Sequence, residues 1–207
     1  ENGETAGLCA TCGTALPDKI HMMTDRRLTL RPLAVTPEAE QRSGTEETEM
    51  TRIALFGAGG KMGMRLGRNL ANSSFETRRV EVSAEGQARV RDAFGVECVD
   101  AKTALDGADV VVLAVPDTAV GKVASIIVPT LKPGTMVVIL DAAAPYAGHL
   151  PERADITYFV THPCHPPIFN DETTAEGRND HFGGIAAKQA IVNALMQGPE
   201  EHYAVGE

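Results

Sequence analysis

A chain of 207 residues, 43% of them hydrophobic, can bury one sizeable core. Its formal net charge of -9 offers no basic footprint for nucleic acid, and no run approaches the ~18 apolar residues of a membrane span or a secretory start. A soluble, cytoplasmic chain is expected, and with Trp absent and aromatics at 4% its core must be built from Val, Ile, Leu and Ala.

Residues 1–49 show no sustained helical or strand period, and "TPEAEQRSGTEETE" from Thr36 has the composition of a solvated, disordered extension. Met50 stands directly before the first strand, where initiator methionines sit, so the leader reads as an addition to the folded unit. Cys9 and Cys12 form a C-x-x-C, half of a zinc ribbon or a redox pair by spacing alone. No second C-x-x-C follows, and Cys98 and Cys164 are isolated, so free thiols in a reducing compartment are expected.

From Arg52 strands and helices alternate. "RIALF" (52–56) reads as a strand and 60–73 as a helix with Met62, Leu66 and Leu70 on one face. Arg79–Ser83 is the second expected strand, and 85–95 a helix stopped by Gly95. "VECV" (96–99) is a short third strand, and Asp109–Pro116 a fourth, apolar on both faces as a central parallel strand must be. A helix over 118–131, a strand over 135–141 and a strand over 156–163 complete the alternation. Such an order implies parallel pairing through right-handed crossovers, hence a doubly wound α/β sheet of the Rossmann type over residues 50–180. Phe182–Gln197 has helical spacing at Ile185, Ile191 and Leu195, so residues 181–207 are expected to open a helical C-terminal domain that leads away from the sheet.

"GAGGKMG" at the end of the first strand carries the main functional signal. A turn that holds a diphosphate needs glycines for a sharp bend, for unobstructed approach of the ligand, and for tight helix–strand packing. Gly57, Gly59 or Gly60, and Gly63 supply all three, with Ala58, Lys61 and Met62 between them. The position between strand and helix makes this a dinucleotide site. Glu81, near the end of the second strand, would accept hydrogen bonds from the adenosine ribose and repel a 2′-phosphate, which selects NAD. Were that strand one pair longer, Ser83 with Arg89 would favour NADP.

Ligands of open parallel sheets bind beyond the carboxyl ends of the strands. Those ends read "AVPDT", with Val115, Pro116 and Asp117 as cofactor lining, then "LDAAAPYAGH" and "THPCHPPIFNDE". His162 and His165 sit on a short proline-stiffened loop where substrate should lie. An imidazole, with an ordinary pKa near 6.5, suits removal of a hydroxyl proton as hydride leaves the same carbon. Together with Asp171 or Glu172 the pair has an alternative reading as a divalent-ion site. Lys188 is a further candidate, as proton carrier or substrate clamp. Asn193, five residues on, would be turned roughly 140° from it on a helix.

These motifs, with "ALFGAGGKMG", "AVPDTAVGKV", "LKPGTMVVILDAAAPYAGHLP" and "FGGIAAKQAIVNALMQGPEEHYAVGE", resemble the D-apionate oxidoisomerases, some of them labelled semialdehyde or phosphogluconate dehydrogenase NAD-binding proteins. The resemblance runs from Met50 to the end. It implies oxidation of a branched sugar acid by NAD, coupled to an acyloin-type shift that gives 3-oxo-isoapionate and is helped by a divalent ion or Lys188 at the carbonyl oxygen. It implies His162 as the group on the substrate hydroxyl, as in the more distantly similar prephenate dehydrogenases, with Asp141, Glu172 and Asn193 as substrate contacts. The placement of Lys188 is similar to that in β-hydroxyacid dehydrogenases, whose Lys and Asn are four apart. Family members continue into a helical domain that closes the site and pairs subunits as a homodimer, so this chain is expected to be a truncated copy. Two other readings remain: a prephenate-type or β-hydroxyacid dehydrogenase acting without rearrangement, and a non-catalytic NAD(P)-binding module.

Overall fold

The structure, a computed structural model, describes residues 21–22, 50–163, 174–180, 186–187 and 191–207. Among them, strands β1 (His21–Met22), β2 (Arg52–Phe56), β3 (Glu76–Val80), β4 (Val110–Leu113), β5 (Met136–Ile139), β6 (Thr157–Pro163) and β7 (Ile191–Gln197) form one sheet in the order β1-β7-β6-β5-β4-β2-β3. The strands from β2 to β6 pair in parallel, as the alternation requires. β4, "VVVL", and β5, "MVVI", are β-branched runs buried on both sides.

Helices cover both faces. α1 (Lys61–Leu70) and α2 (Ala84–Phe94) pack Met62, Leu66 and Val90 against Leu55, Val112 and Phe159 on one face. On the other, α3 (Ala101–Leu105), α4 (Asp117–Ile127) and α5 (Ala143–Tyr146) pack Ala104, Val120, Ala124 and Ala144 against Phe56, Val111, Leu113 and Ile139. Gly95, at φ +67°, ends α2 in the left-handed conformation that glycine tolerates. The expected doubly wound sheet is therefore present. The chain winds outward from β2 to β3, then crosses back to β4 on the other side of β2, so the topological switch point lies between β2 and β4.

Several expected elements differ. The second strand runs from Glu76 to Val80, not to Ser83, because Ser83 is already the cap of α2 and accepts a bond from the Gly86 amide. "VECV" forms no strand; of its amides, that of Val99 reaches the Arg79 carbonyl at 2.9 Å. Asp100 then caps α3 through the Thr103 amide at 2.9 Å, a D-x-x-T cap that the sequence reading passed over. The helix expected to 131 ends at Ile127 and tightens into a 3₁₀ turn over Val128–Thr130, where Pro129 cannot supply an amide.

The largest correction concerns the C-terminal segment. Ile191–Gln197 is no helix but the strand β7, antiparallel to β6, with Phe159 opposite Leu195 and His162 opposite Val192. Ile191 and Leu195 fit either period, and pairing with β6 decides it. Gly198, at φ +129°, turns the chain into α6's successor: α6 is Ala175–Asn179 and α7 is His202–Gly206. α7 folds back on the sheet, where Tyr203 meets Phe159 edge-on at 5.7 Å and His202 Nδ1 lies 2.7 Å from Thr157 Oγ1. Within the leader, His21–Met22 pair with β7, a strand the sequence does not announce.

Candidate active site

The glycine turn sits at the switch point. Gly57 adopts φ +75°, and both its amide and that of Ala58 donate to the Val80 carbonyl, at 2.9 and 3.1 Å. A Cβ on Gly57 would lie 2.9 Å from the Ala114 carbonyl carbon, so the turn is pressed against the end of β4. Gly63 is buried beneath it, and Met62 packs its side chain into the core. Lys61 is exposed. No side chain caps Gly60, the residue from which α1 opens, so this helix start carries the partial positive charge of its first turn with no built-in acceptor. That is the arrangement that holds phosphate.

Glu81 follows the last residue of β3 and therefore stands at the strand tip. Its carboxylate accepts from the Gly59 amide at 3.0 Å, from the Val82 and Ser83 amides at 2.9 Å each, and from the Ser83 hydroxyl at 3.1 Å. Arg89 reaches from α2 to donate its Nε to the Gly59 carbonyl at 2.9 Å. Ser83 and Arg89 are thus engaged in binding the turn to α2, where the alternative reading assigned them a 2′-phosphate. Burial pushes the Glu81 carboxyl up, but the bonds from Ser83, Gly59 and Val82 outweigh it and hold its pKa below the ordinary carboxylate range. A depressed carboxyl adds stability that is present above the unfolded value near 4.5 and is lost as pH falls through the folded one. Glu81→Gln is therefore expected to lower stability at pH 7 by about 1 kcal/mol, a figure kept small by solvent screening. The difference from the parent should shrink in urea titrations run below pH 4 or so. An equal difference at both pH values would contradict this account.

Along the same carboxyl edge, Ala114 continues the pairing of β4 by donating to Phe56, Val115 packs against the core, Pro116 caps α4 and Asp117 begins it. A groove between α4 and α5, lined by Asp117, Thr118, Lys122, Ala143 and His149, opens from this edge. Asp141 and His162 meet at the next two strand ends. His162 Nδ1 lies 3.0 Å from the Leu140 carbonyl oxygen and 3.6 Å from Asp141 Oδ2. Asn193 is elsewhere: it pairs with Thr161, and so faces the side of the sheet opposite to His162. It is 8% exposed, and its Oδ1 has no partner among the described residues. His165, Asp171, Glu172, Lys188, Cys9, Cys12 and Cys164 lie outside the described residues. Cys98 is a free, half-buried thiol that burial pushes above its ordinary pKa. Among the described residues no group of three His, Cys, Asp or Glu could hold a metal ion, and no helix is long and apolar enough to cross a membrane. The sequence reading missed the Leu140 carbonyl, a backbone partner with no signature of its own.

Residues 52–145 match a family described as NADP oxidoreductase, coenzyme F420-dependent, and residues 170–207 one described as phosphogluconate dehydrogenase (decarboxylating), C-terminal. The D-apionate oxidoisomerase of Rhizobium rhizogenes is 67% identical over 158 residues, which is 76% of this chain and 58% of that protein. That of Cupriavidus necator is 64% identical over 156 residues, 75% of this chain and 56% of that protein. Over that stretch the chain is a homologue of the D-apionate oxidoisomerases. It spans somewhat more than half the length of these relatives. A crystal structure of a semialdehyde dehydrogenase NAD-binding protein from Cupriavidus necator, in complex with calcium and NAD, superposes with a TM-score of 0.68 at 63% identity, covering 75% of this chain and 56% of that one. The oxidoisomerase homology and the doubly wound sheet point to one kind of molecule, a Rossmann-type domain with its glycine turn at the switch point.

Proposed function

We propose that this chain carries the coenzyme-binding and proton-transfer part of an NAD-dependent oxidoreductase that converts D-apionate to 3-oxo-isoapionate by oxidation and isomerisation. The observation that carries the reading is the alignment, along one sheet edge, of the uncapped α1 start, Glu81 and His162, in a chain with D-apionate oxidoisomerases among its relatives. The residues fit a dinucleotide: the glycines from Gly57 to Gly63 let a diphosphate approach the uncapped start of α1, and Glu81 offers carboxylate oxygens to ribose hydroxyls while repelling a 2′-phosphate.

When bound, the nicotinamide accepts the hydride. The chain's own residues do the rest. His162 takes the hydroxyl proton from oxygen as the carbon bearing that hydroxyl gives up hydride, so one C–H and one O–H bond break and the C–O bond becomes C=O. Lys188, on the segment leading into β7, supplies positive charge at the carbonyl oxygen during the shift of the neighbouring group. His165, Asp141 and Glu172 complete the substrate end in this reading. The sheet from β2 to β6 with its helices forms the coenzyme domain, β7 and α7 extend that same unit, and the protein works as a cytoplasmic homodimer.

The test is the full-length protein with NAD and D-apionate, followed by NADH formation and by NMR of the product. NADH with a rearranged carbon skeleton is the expected result. NADH with an unrearranged oxo acid would favour a β-hydroxyacid-type dehydrogenase, and tight coenzyme binding without turnover of any hydroxy acid would overturn the enzymatic reading.

A further inference from the structure

We propose that Gly86, in the first turn of α2, is a specificity-determining residue for the coenzyme: its missing side chain leaves the space in which the Glu81 carboxylate is held, and that placement selects NAD over NADP. The proposal rests on the dinucleotide reading above and deepens it.

The two oxygens of Glu81 are used unequally. Among the described residues, Oε1 accepts from the Val82 and Ser83 amides and from the Ser83 hydroxyl, whereas Oε2 accepts from the Gly59 amide alone, at 3.0 Å. A carboxylate oxygen offers about two lone pairs, so Oε2 is the one with capacity left for a ribose hydroxyl, and it stands beside the glycine turn. Gly86 bounds that place. A Cβ on it would lie 2.5 Å from Glu81 Cγ, 2.6 Å from Glu81 Cδ and 2.7 Å from Ser83 Oγ. From the other side, a Cβ on Gly59 would lie 2.5 Å from the Gly86 oxygen, so the turn and α2 meet backbone to backbone.

Nothing in the local backbone asks for glycine here. Gly86 is helical, with no positive φ, and alanine is the better helix former at such a position. The three atoms nearest to its absent Cβ all belong to side chains, which can rotate away. Gly86→Ala therefore displaces the carboxylate and not the fold. The ribose then loses its acceptor, and a 2′-phosphate loses its repulsion. Arg89, whose Nε is held on the Gly59 carbonyl at 2.9 Å, stays beside the turn as a positive charge.

Titration calorimetry of the protein with NAD and with NADP tests this. The parent should prefer NAD, and in Gly86→Ala that preference should shrink about tenfold or more, NAD binding being weakened more than NADP binding. Glu81→Ala removes the atoms that the new Cβ would strike. Adding Gly86→Ala to it should leave the ratio of the two affinities unchanged, a coupling that general damage to the fold would not produce. If Gly86→Ala alone does not fold by circular dichroism, the double variant should, and failure of both overturns the proposal. So do a parent ratio retained in Gly86→Ala, an equal loss for both coenzymes, or a shift of the ratio that persists in the Glu81→Ala background. Each of these leaves the dinucleotide reading standing, because the parent still binds NAD. A parent that binds neither coenzyme overturns both.

Discussion

Gly63→Ala is expected to lower the thermal midpoint by roughly 10 °C, the consequence of about 3 kcal/mol of overpacking in a domain of this size. A Cβ on Gly63 would overlap the Gly57 carbonyl oxygen and lie 2.7 Å from Ala58 Cα and 2.8 Å from Ala58 C. All three are backbone atoms of the turn, so no rotamer change relieves the clash. Either α1 lifts from β2 or the turn opens, and each outcome removes the geometry that exposes the amides. Coenzyme binding should fall along with stability. The neighbouring Gly60 is the control: its Cβ would meet the Gly57 oxygen at 3.2 Å and the Ala114 oxygen at 3.8 Å, which a shift of a few tenths of an ångström accommodates. Scanning calorimetry of the two variants with an NAD titration checks the claim. A Gly63→Ala midpoint within about 2 °C of the parent's would contradict the packing argument.

His162→Ala in the full-length protein is the complementary case, expected to lose activity by 10²- to 10⁴-fold while the affinity for NAD stays within about twofold. His162 is held near the ends of β5 and β6 by Leu140 and Asp141, two strands from the glycine turn. The midpoint should move little, because the ring is partly exposed, with 41% of its side-chain surface accessible. Stopped-flow NADH formation and equilibrium dialysis separate the two quantities. Loss of coenzyme affinity equal to the loss of rate would show that His162 supports the fold of the edge rather than the proton transfer.

What could be read from the residues was what is decided locally. The turn from Phe56 to Lys61, the stop at Gly95 and the apolar runs of β4 and β5 each follow from a few adjacent side chains. β3 was displaced because its sequence, "ETRRV", is that of a sheet edge. Glu76 bonds Arg52 at 3.3 Å and Arg78 at 2.7 Å, so charge replaces the apolar alternation that marks a strand. The β7 sequence "IVNALMQ" satisfies both the helical and the strand period, and the partner that chooses between them, β6, lies some thirty residues earlier. The site divides in the same way. His162 and Asp141 were nominated by chemistry, yet their partnership depends on the β5–β6 register. Asn193 was placed by helical geometry and lands on the other side of the sheet once the segment is extended.

The three bonds from the Gly57, Ala58 and Gly59 amides to Val80 and Glu81 have a kinetic consequence. A loop that wanders when empty must be caught and ordered by its ligand, which weakens capture by the fraction of time the correct shape is absent. Here the cradle is stitched to the neighbouring strand before anything arrives. The conformational search belongs to folding, and encounter needs only diffusion and the displacement of solvent.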